Sequence, residues 1–165
     1  MRITGTHLYP VPIDAVLAML RDQSATVDKY ESMGHRDVAI LEFAADDDTI
    51  RIVSSRVVDV ELPGFAKKAL SPTNTMKQSD TWQRQGDGSW SGTFDVEVQG
   101  APVHLNGTMS LTSDGDGTRH DVTLEMQVKI PLIGGKIADW VGKNDAQRTL
   151  DAEFAYNDRR LGPSG

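Results

Sequence analysis

Apolar and polar residues alternate along most of the chain between His35 and Ile130. Alternation with a period of two predicts β-strands that bury one face and leave the other in water. Clusters of Asp, Gly and Pro interrupt the alternation. They predict tight turns, because Asp bonds to nearby backbone N–H groups and Gly accepts positive φ. These clusters are Asp46-Asp47-Asp48, Gly86-Asp87-Gly88, Gly100-Ala101-Pro102 and Asp114-Gly115-Asp116-Gly117. The pattern predicts six antiparallel strands here, and residues 2–9 add a seventh.

Two short helices are predicted between the first strand and this meander. Pro12 lacks a backbone N–H and suits the start of a helix. The apolar residues that follow recur at intervals of three and four, which predicts a helix over residues 13–21. They are Ile13, Val16, Leu17 and Leu20. A second helix is predicted over residues 25–33, with Ser24 as its N-cap and Gly34 as its end.

A long helix is predicted near the C-terminal end of the chain. Pro131 ends the last strand, Gly134-Gly135 allow a sharp turn, and residues 136–161 are nearly all good helix formers. An apolar stripe with a spacing of seven residues follows this helix, and we expect it to face the sheet. The stripe consists of Ile133, Trp140, Phe154 and Leu161, includes Gln147, and has Ile137 and Leu150 beside it.

These elements predict one α+β domain over residues 1–165. The length fits one domain, which would bury ~70% of the surface of its unfolded chain. A sheet with one apolar face needs a covering layer, and the long helix carries the matching apolar stripe. We therefore predict a helix-grip fold, in which a seven-stranded curved antiparallel sheet surrounds a long C-terminal helix and two short helices follow the first strand.

Several motifs accompany this order of elements. They are Gly100-Ala101-Pro102, Leu105-Asn106-Gly107-Thr108, Leu111 and Ile130-Pro131-Leu132-Ile133-Gly134-Gly135-Lys136-Ile137. Over essentially the whole chain, the sequence resembles the START-like (SRPBCC) superfamily of birch pollen allergens, polyketide cyclases and lipid transport proteins. More narrowly, it resembles a branch known only as a domain of unknown function. The resemblance implies a hydrophobic cavity between the sheet and the last helix, but it does not choose between carriers, receptors and enzymes.

Inward positions of the strands and of the last helix are the candidates for lining such a cavity. A lining of Met, Trp and Phe with a few polar groups is usual for a small-molecule pocket. The predicted apolar lining is Met76, Trp82, Trp90, Phe94, Leu105, Met109, Leu124, Met126, Ile137 and Trp140, and the predicted orienting groups are Asp80, Asn144, Gln147 and Arg148. Alternation also places Arg84 on the same face as Asp80. The same pattern fits a packed core with polar residues at a wet end of the sheet.

The last helix has a polar break where Asn144 and Gln147 interrupt its apolar stripe, with Arg148 and Asp151 close by on the helical wheel. Burying such groups without partners costs ~1–3 kcal/mol each, so they need partners, water or a ligand. Two interpretations stay open. Either these residues line the cavity, or the stripe rotates about the helix and leaves them in solvent.

Metal sites and nucleophilic catalysis have no clear signature in the sequence. The four histidines occur singly, without the paired spacing that places two imidazoles on one metal. Residues 114–125 have acids at three positions of a calcium-loop template, but Arg119 stands where the sharp turn needs Gly, which favours a plain hairpin. No Ser lies on a strained elbow motif. We therefore predict no metal, no cofactor and no catalytic residue assigned by a motif.

Charge and composition limit the partners that we expect. The chain has 17 Lys and Arg against 24 Asp and Glu, a net charge of −7, which repels phosphate backbones and predicts no nucleic-acid partner. It has no cysteine. Its longest apolar run, residues 15–20, is too short for a membrane span or a signal-peptide core. These features predict a soluble, cytoplasmic protein without stable membrane anchoring.

The leading functional hypothesis is binding or transport of a hydrophobic small molecule, a lipid or a polyketide-like compound, in the cavity. The alternative is an enzyme of cyclase or hydrolase type, in which an apolar surrounding raises the pKa of Asp80 and makes it a general base. An interaction module on the outer sheet face is disfavoured, because that face is polar. The loop over residues 62–70, with Phe65 and Leu70 beside two lysines, gates the pocket, touches a lipid surface or serves as a plain connector.

Overall fold

Seven strands and four α-helices make up the part of the chain that the computed structural model describes, residues 1–162. The strands are β1 (Arg2–Tyr9), β2 (Arg36–Ala45), β3 (Thr49–Asp59), β4 (Thr73–Arg84), β5 (Trp90–Val98), β6 (Val103–Asp114) and β7 (Gly117–Val128). The helices are α1 (Ile13–Leu20), α2 (Gln23–Ser32), α3 (Gly134–Val141) and α4 (Gln147–Leu161). A π-helical turn, Gly142–Ala146, joins α3 to α4 and is called the π turn below.

The strands form one antiparallel sheet in the order β1-β7-β6-β5-β4-β3-β2. Strands β2 to β7 follow one another as hairpins, and β1 pairs with β7. The register aligns inward residues across neighbouring strands. Asp80, for example, lies between Ile52 on β3 and Phe94 on β5. The predicted α+β helix-grip fold, with its seven-stranded sheet, long C-terminal helix and two short helices after the first strand, is confirmed.

The second helix begins at Gln23, earlier than predicted. Asp22, rather than Ser24, is its N-cap, since the Asp22 carboxylate accepts a hydrogen bond from the Ser24 backbone N–H at 3.0 Å. Both residue types are good N-caps, and the sequence alone did not separate them. Gly34, with φ of 86°, follows the end of the helix as predicted.

The π turn changes which side of the last helix is buried. In a regular α-helix, the buried face would continue four residues after Val141. The i→i+5 turn adds one residue, so the buried face continues at Ala146 instead. The buried or partly buried line is Ile137, Val141, Ala146, Leu150 and Phe154. Trp140 and Gln147, which the spacing of seven residues placed on this line, are only partly buried. The stripe therefore does not run straight along the helix.

The last helix rests on one side of the sheet, where α4 contacts β1 and α3 contacts β7. Gly5 in β1 makes this close approach possible, because a Cβ at this position would lie 2.6 Å from Leu150 Cδ2 and 3.1 Å from Phe154 Cε2. The core around this contact also includes Ile3, Tyr9, Val122 and Met126. The helix is thereby held against β1, and space remains between it and the middle of the sheet.

We predict that Gly5→Ala destabilises the chain by roughly 1–3 kcal/mol, the usual cost of forcing extra volume into a packed core. The free energy of unfolding, measured by urea titration, tests this. Gly86→Ala is the matched control, since a Cβ there has no neighbouring atom within 4 Å. Equal stability of Gly5→Ala and the wild type would contradict the close packing of α4 on β1.

Candidate functional site

A cavity of about 210 Å³ lies between the inner face of the sheet and the last helix. Strands β3 to β7 supply the largest share of its wall, and the four α-helices, the π turn and the connecting loops supply the rest. Most of the lining side chains are apolar. Among the polar lining residues, those named the polar cluster here are Lys29, His35, Arg56, Gln78, Asp80 and Glu153. The cavity thus combines an apolar wall with one charged region.

Nine of the residues predicted to bind a ligand have side chains along this cavity. Strand alternation located eight of them, because inward residues of adjacent antiparallel strands lie side by side, and the apolar stripe of the last helix located Ile137. They are Met76, Asp80, Trp82, Phe94, Leu105, Met109, Leu124, Met126 and Ile137.

Five predicted residues lie elsewhere. Trp90 is 3% exposed and packs in the core, with the Arg21 guanidinium 5.5 Å from its ring centroid. The other four, Trp140, Asn144, Gln147 and Arg148, are on the last helix at or beside the π turn and are not part of the cavity lining. Asn144 donates to the Trp140 carbonyl, Gln147 donates to Asp151, and Arg148 pairs with Asp145. Of the two interpretations of the polar break, the structure agrees with the second, in which the apolar stripe rotates about the helix and the polar break reaches solvent.

Arg84 does not meet Asp80, although both were predicted on the same face of one strand. Arg84 is exposed at the end of β4, with its Nη1 atom 3.9 Å from Asp48 Oδ1. Asp80 instead accepts a hydrogen bond from the Gln78 side-chain amide at 2.9 Å. Asp80 therefore belongs to the polar cluster, and Arg84 belongs to the surface.

Arg56 is the central cation of the polar cluster and is only 5% exposed. Its Nε donates to His35 Nδ1 at 3.1 Å, and its Nη2 donates to Gln78 Oε1 at 2.9 Å. Its guanidinium carbon lies 3.9 Å from the centroid of the Tyr30 ring. Both hydrogen-bond partners are neutral groups, since burial and then the charge of Arg56 lower the pKa of His35 to about 4. No carboxylate accepts from the guanidinium in these bonds.

Two carboxyl groups, Asp80 and Glu153, share this region with Lys29. Burial raises the pKa of Asp80, while Lys29 and the Gln78 hydrogen bond act in the opposite direction. Burial lowers the pKa of Lys29, but Tyr30, Glu153 and Asp80 raise it, and the net shift is upward. Lys29 therefore remains a cation, and burial favours the uncharged form of Asp80.

A second polar chain reaches the cavity through His120. The Asn157 side-chain amide donates to the Tyr9 hydroxyl at 2.9 Å, and that hydroxyl lies 2.9 Å from His120 Nδ1. When the Tyr9 hydroxyl donates to Nδ1, the ring proton of the neutral His120 is on Nε2. Burial, and then Lys29, lower the pKa of His120 to about 4. His120 is therefore a neutral side chain in the cavity lining.

Several buried donors have no partner within residues 1–162. They are Tyr30 Oη, Arg56 Nη1, His120 Nε2 and Tyr156 Oη. Arg56, His120 and Tyr156 all belong to the cavity lining. An unpaired buried donor costs roughly 1–3 kcal/mol, so each of these groups favours an acceptor in the cavity.

Sequence reasoning missed most of this polar cluster. The sequence pattern did indicate an inward position for Arg56, because it alternates with Ile50, Ile52 and Ser54 on β3. The opposite face of that strand also carries apolar residues, so the pattern did not decide which face is inward. No sequence pattern placed Lys29 and Glu153 in the cluster, because their helices are polar on several sides. Their approach to Asp80 depends on how α2 and α4 pack against the sheet.

The loop between β3 and β4 packs against the start of the last helix. Leu62 and Ala66 form a buried cluster with Ile137, and Lys136 Nζ lies 4.5 Å from the Phe65 ring centroid. Leu62 and Leu70 also line the cavity. The loop is thus a packed part of the cavity wall. Its role as a gate or as a lipid contact stays a prediction.

Residues 114–125, the calcium-loop template, form the β6–β7 hairpin, with Asp114 paired to Gly117. Within residues 1–162, the structure groups no set of three His, Cys, Asp or Glu side chains with the spacing of a metal site. None of the helices in the same range has both the length and the apolar character that crossing a bilayer requires.

A curved seven-stranded antiparallel sheet around a long helix, with a largely apolar cavity between them, defines the helix-grip fold. The chain belongs to the family described as "Protein of unknown function (DUF2505)", whose model matches residues 4–161. It is 30% identical over 128 residues to uncharacterised proteins of Mycobacterium tuberculosis and Mycobacterium bovis, which covers 72% of this chain and 74% of each relative. The resemblance found in the sequence is confirmed.

Solved structures share the fold at low sequence identity. A protein from Thermus thermophilus matches with a TM-score of 0.66 and 16% identity, covering 98% of this chain and 97% of that one. A STAR-related lipid transfer protein from Xanthomonas axonopodis matches with a TM-score of 0.58 and 16% identity, covering 94% and 85%. A START superfamily protein from Mycobacterium smegmatis has a TM-score of 0.54 and 16% identity, with coverage of 97% and 96%.

We predict that acid weakens the fold through His35 and His120. Both have a pKa of about 4 in the folded chain, against an ordinary value of 6.5. Below pH 6.5 the unfolded chain takes up protons that the folded chain does not. The free energy of unfolding therefore falls between pH 6.5 and pH 4, by on the order of 3 kcal/mol for His120.

Urea unfolding across this pH range, together with NMR titration of the histidine rings, measures the effect. The variant His120→Gln should show a smaller loss of stability between pH 6.5 and pH 4 than the wild type. Ring signals of both histidines that titrate near pH 6.5 would contradict the burial described here.

Proposed function

We propose that this protein binds or transports a hydrophobic small molecule, a lipid or a polyketide-like compound, in the cavity between the sheet and the last helix. The observation that carries this proposal is the largely apolar wall of a cavity of about 210 Å³. Each Å² of apolar surface that a ligand buries there contributes about 25 cal/mol, so contact with such a wall supplies affinity without a specific polar match.

The proposed contacts are the nine predicted residues along the cavity. Their chemistry suits ligands of variable shape, because the thioethers of Met76, Met109 and Met126 adapt to irregular surfaces. Trp82 and Phe94 add flat, rigid surface beside them. The solved relative named as a lipid transfer protein has the same fold, which agrees with a hydrophobic ligand but does not identify it.

We expect freshly purified protein to carry a discrete apolar adduct in native mass spectrometry, released by organic solvent, or to bind an apolar fluorescent probe when empty. The adduct mass and the extracted compound would give the ligand class. A clean protein that also ignores apolar probes would contradict the proposal.

Filling the cavity provides the matched test. Leu105→Trp adds a large side chain to the cavity wall, and we expect it to weaken probe binding by about tenfold or more, since lost apolar contact of ~1.4 kcal/mol corresponds to a factor of ten. Asn106→Trp adds the same side chain at the next position of β6, which is exposed. Equal loss in both variants would indicate general damage rather than a filled cavity.

A second candidate function is a small-molecule enzyme with Asp80 as general base. The observation that favours it is a buried carboxyl group in the cavity wall whose pKa burial raises. If such an activity is found with ester or cyclisable substrates, Asp80→Asn should abolish turnover in a protein that is still folded and still binds the apolar probe. Full activity of Asp80→Asn would exclude this role.

A further inference from the structure

The polar cluster contains cationic side chains and, on Arg56, a hydrogen-bond donor that has no partner among the described residues. Arg56 is 5% exposed, lines the cavity and has an Nη1 group without a partner among the described residues. A buried guanidinium normally has its N–H groups satisfied, because leaving one unpaired in a low-dielectric site is costly. The free N–H groups of Arg56 therefore mark a position where an acceptor belongs.

We propose that the bound molecule is an amphipathic carboxylic acid, whose carboxylate accepts from Arg56 Nη1 in the polar cluster and whose apolar tail lies along the Met and Phe side chains of the cavity. This inference rests on the proposed binding function and names the chemical class of the ligand. It assigns Arg56 as the anchor of the head group and Lys29 as a second cation beside it.

The charges of the cluster favour an anion over a neutral or cationic head group. Arg56 and Lys29 are cations, and Glu153 and Asp80 are the acids that face them. Burial raises the pKa of Asp80, and neither hydrogen bond that Arg56 donates goes to a carboxylate. A cationic head group would be repelled. An alcohol would accept a hydrogen bond but leave the charge unneutralised.

A monoanion suits the unpartnered Nη1 group of Arg56 better than a doubly charged group does. One carboxylate neutralises one charge, whereas a phosphate monoester would bring further negative charge beside Glu153. The hydrogen bond from a guanidinium to a carboxylate is also charge-assisted and stronger than a neutral one. The Tyr156 hydroxyl, another cavity donor without a partner among residues 1–162, is available to the same head group.

The size of the cavity indicates one tail of moderate length. Its volume of about 210 Å³ lies below the ~300–1,000 Å³ of typical ligand pockets. A single medium-length chain suits this space better than a lipid with two long acyl chains. Decanoate is therefore a suitable probe, and decanol and methyl decanoate are its uncharged counterparts with the same tail.

Binding of these three compounds to the delipidated wild type, measured by calorimetry below the concentration at which each aggregates, tests the inference without any mutation. We expect decanoate to bind roughly tenfold or more tightly than methyl decanoate and decanol, because only the acid forms a charge-assisted bond. Equal affinity for all three would overturn the inference and leave the proposed function standing. Failure of all three and of an apolar probe to bind would overturn both.

Substitution of Arg56 locates the head group. Arg56→Gln should remove the preference for decanoate over its methyl ester and leave the affinity for the ester within about twofold, since the apolar contacts are unchanged. Arg51→Gln is the matched control on the same strand, because the Arg51 side chain is 49% exposed and pairs with Glu42 on the surface. This control should keep the full preference.

Circular dichroism and thermal unfolding show whether each variant is folded. If Arg56→Gln does not fold, Lys29→Gln replaces it, and the preference for the acid should fall with the loss of this second cation. An undiminished preference for decanoate in a folded Arg56→Gln or Lys29→Gln protein would overturn the assignment of the head group to the polar cluster.

Discussion

The contact of the last helix with β1 is the constraint on which the rest of the structure depends. Gly5 lets Leu150 and Phe154 approach the backbone of β1 so closely that a methyl group at this position would collide with them. Held there, the helix covers the side of the sheet formed by β1 and β7 and does not settle into the middle of its curve. The inner face of β3 to β6 then borders a cavity rather than a fully packed core.

The π turn works together with this contact. It adds one residue between Val141 and Ala146, so that small and apolar side chains face the sheet both before and after the π turn. The polar residues around it pair with one another along the outside of the helix, as the bond from Gln147 to Asp151 shows. One inserted residue therefore moves a polar segment to the surface and keeps the helix continuous.

The polar cluster lowers the free energy of unfolding, and packing does not explain why these side chains are buried there. An Arg with an unpaired N–H, buried beside a Lys and two acids, costs more than an apolar core of the same volume would. Side chains of this kind are expected where a protein recognises a ligand, because the ligand completes the bonds that the fold leaves open. Under the proposed function, a ligand that accepts from Arg56 would also stabilise the fold.

The sequence by itself determined the strands, their inward faces and the fold class, because a period of two and Asp and Gly turns are local signals that leave few alternative topologies. The tertiary structure alone decided the course of the last helix and the membership of the polar cluster. The π turn shifts the buried face of this helix to Val141 and Ala146, and no local pattern in the sequence marks it. Lys29, Arg56 and Glu153 come from three elements whose mutual approach no local pattern encodes.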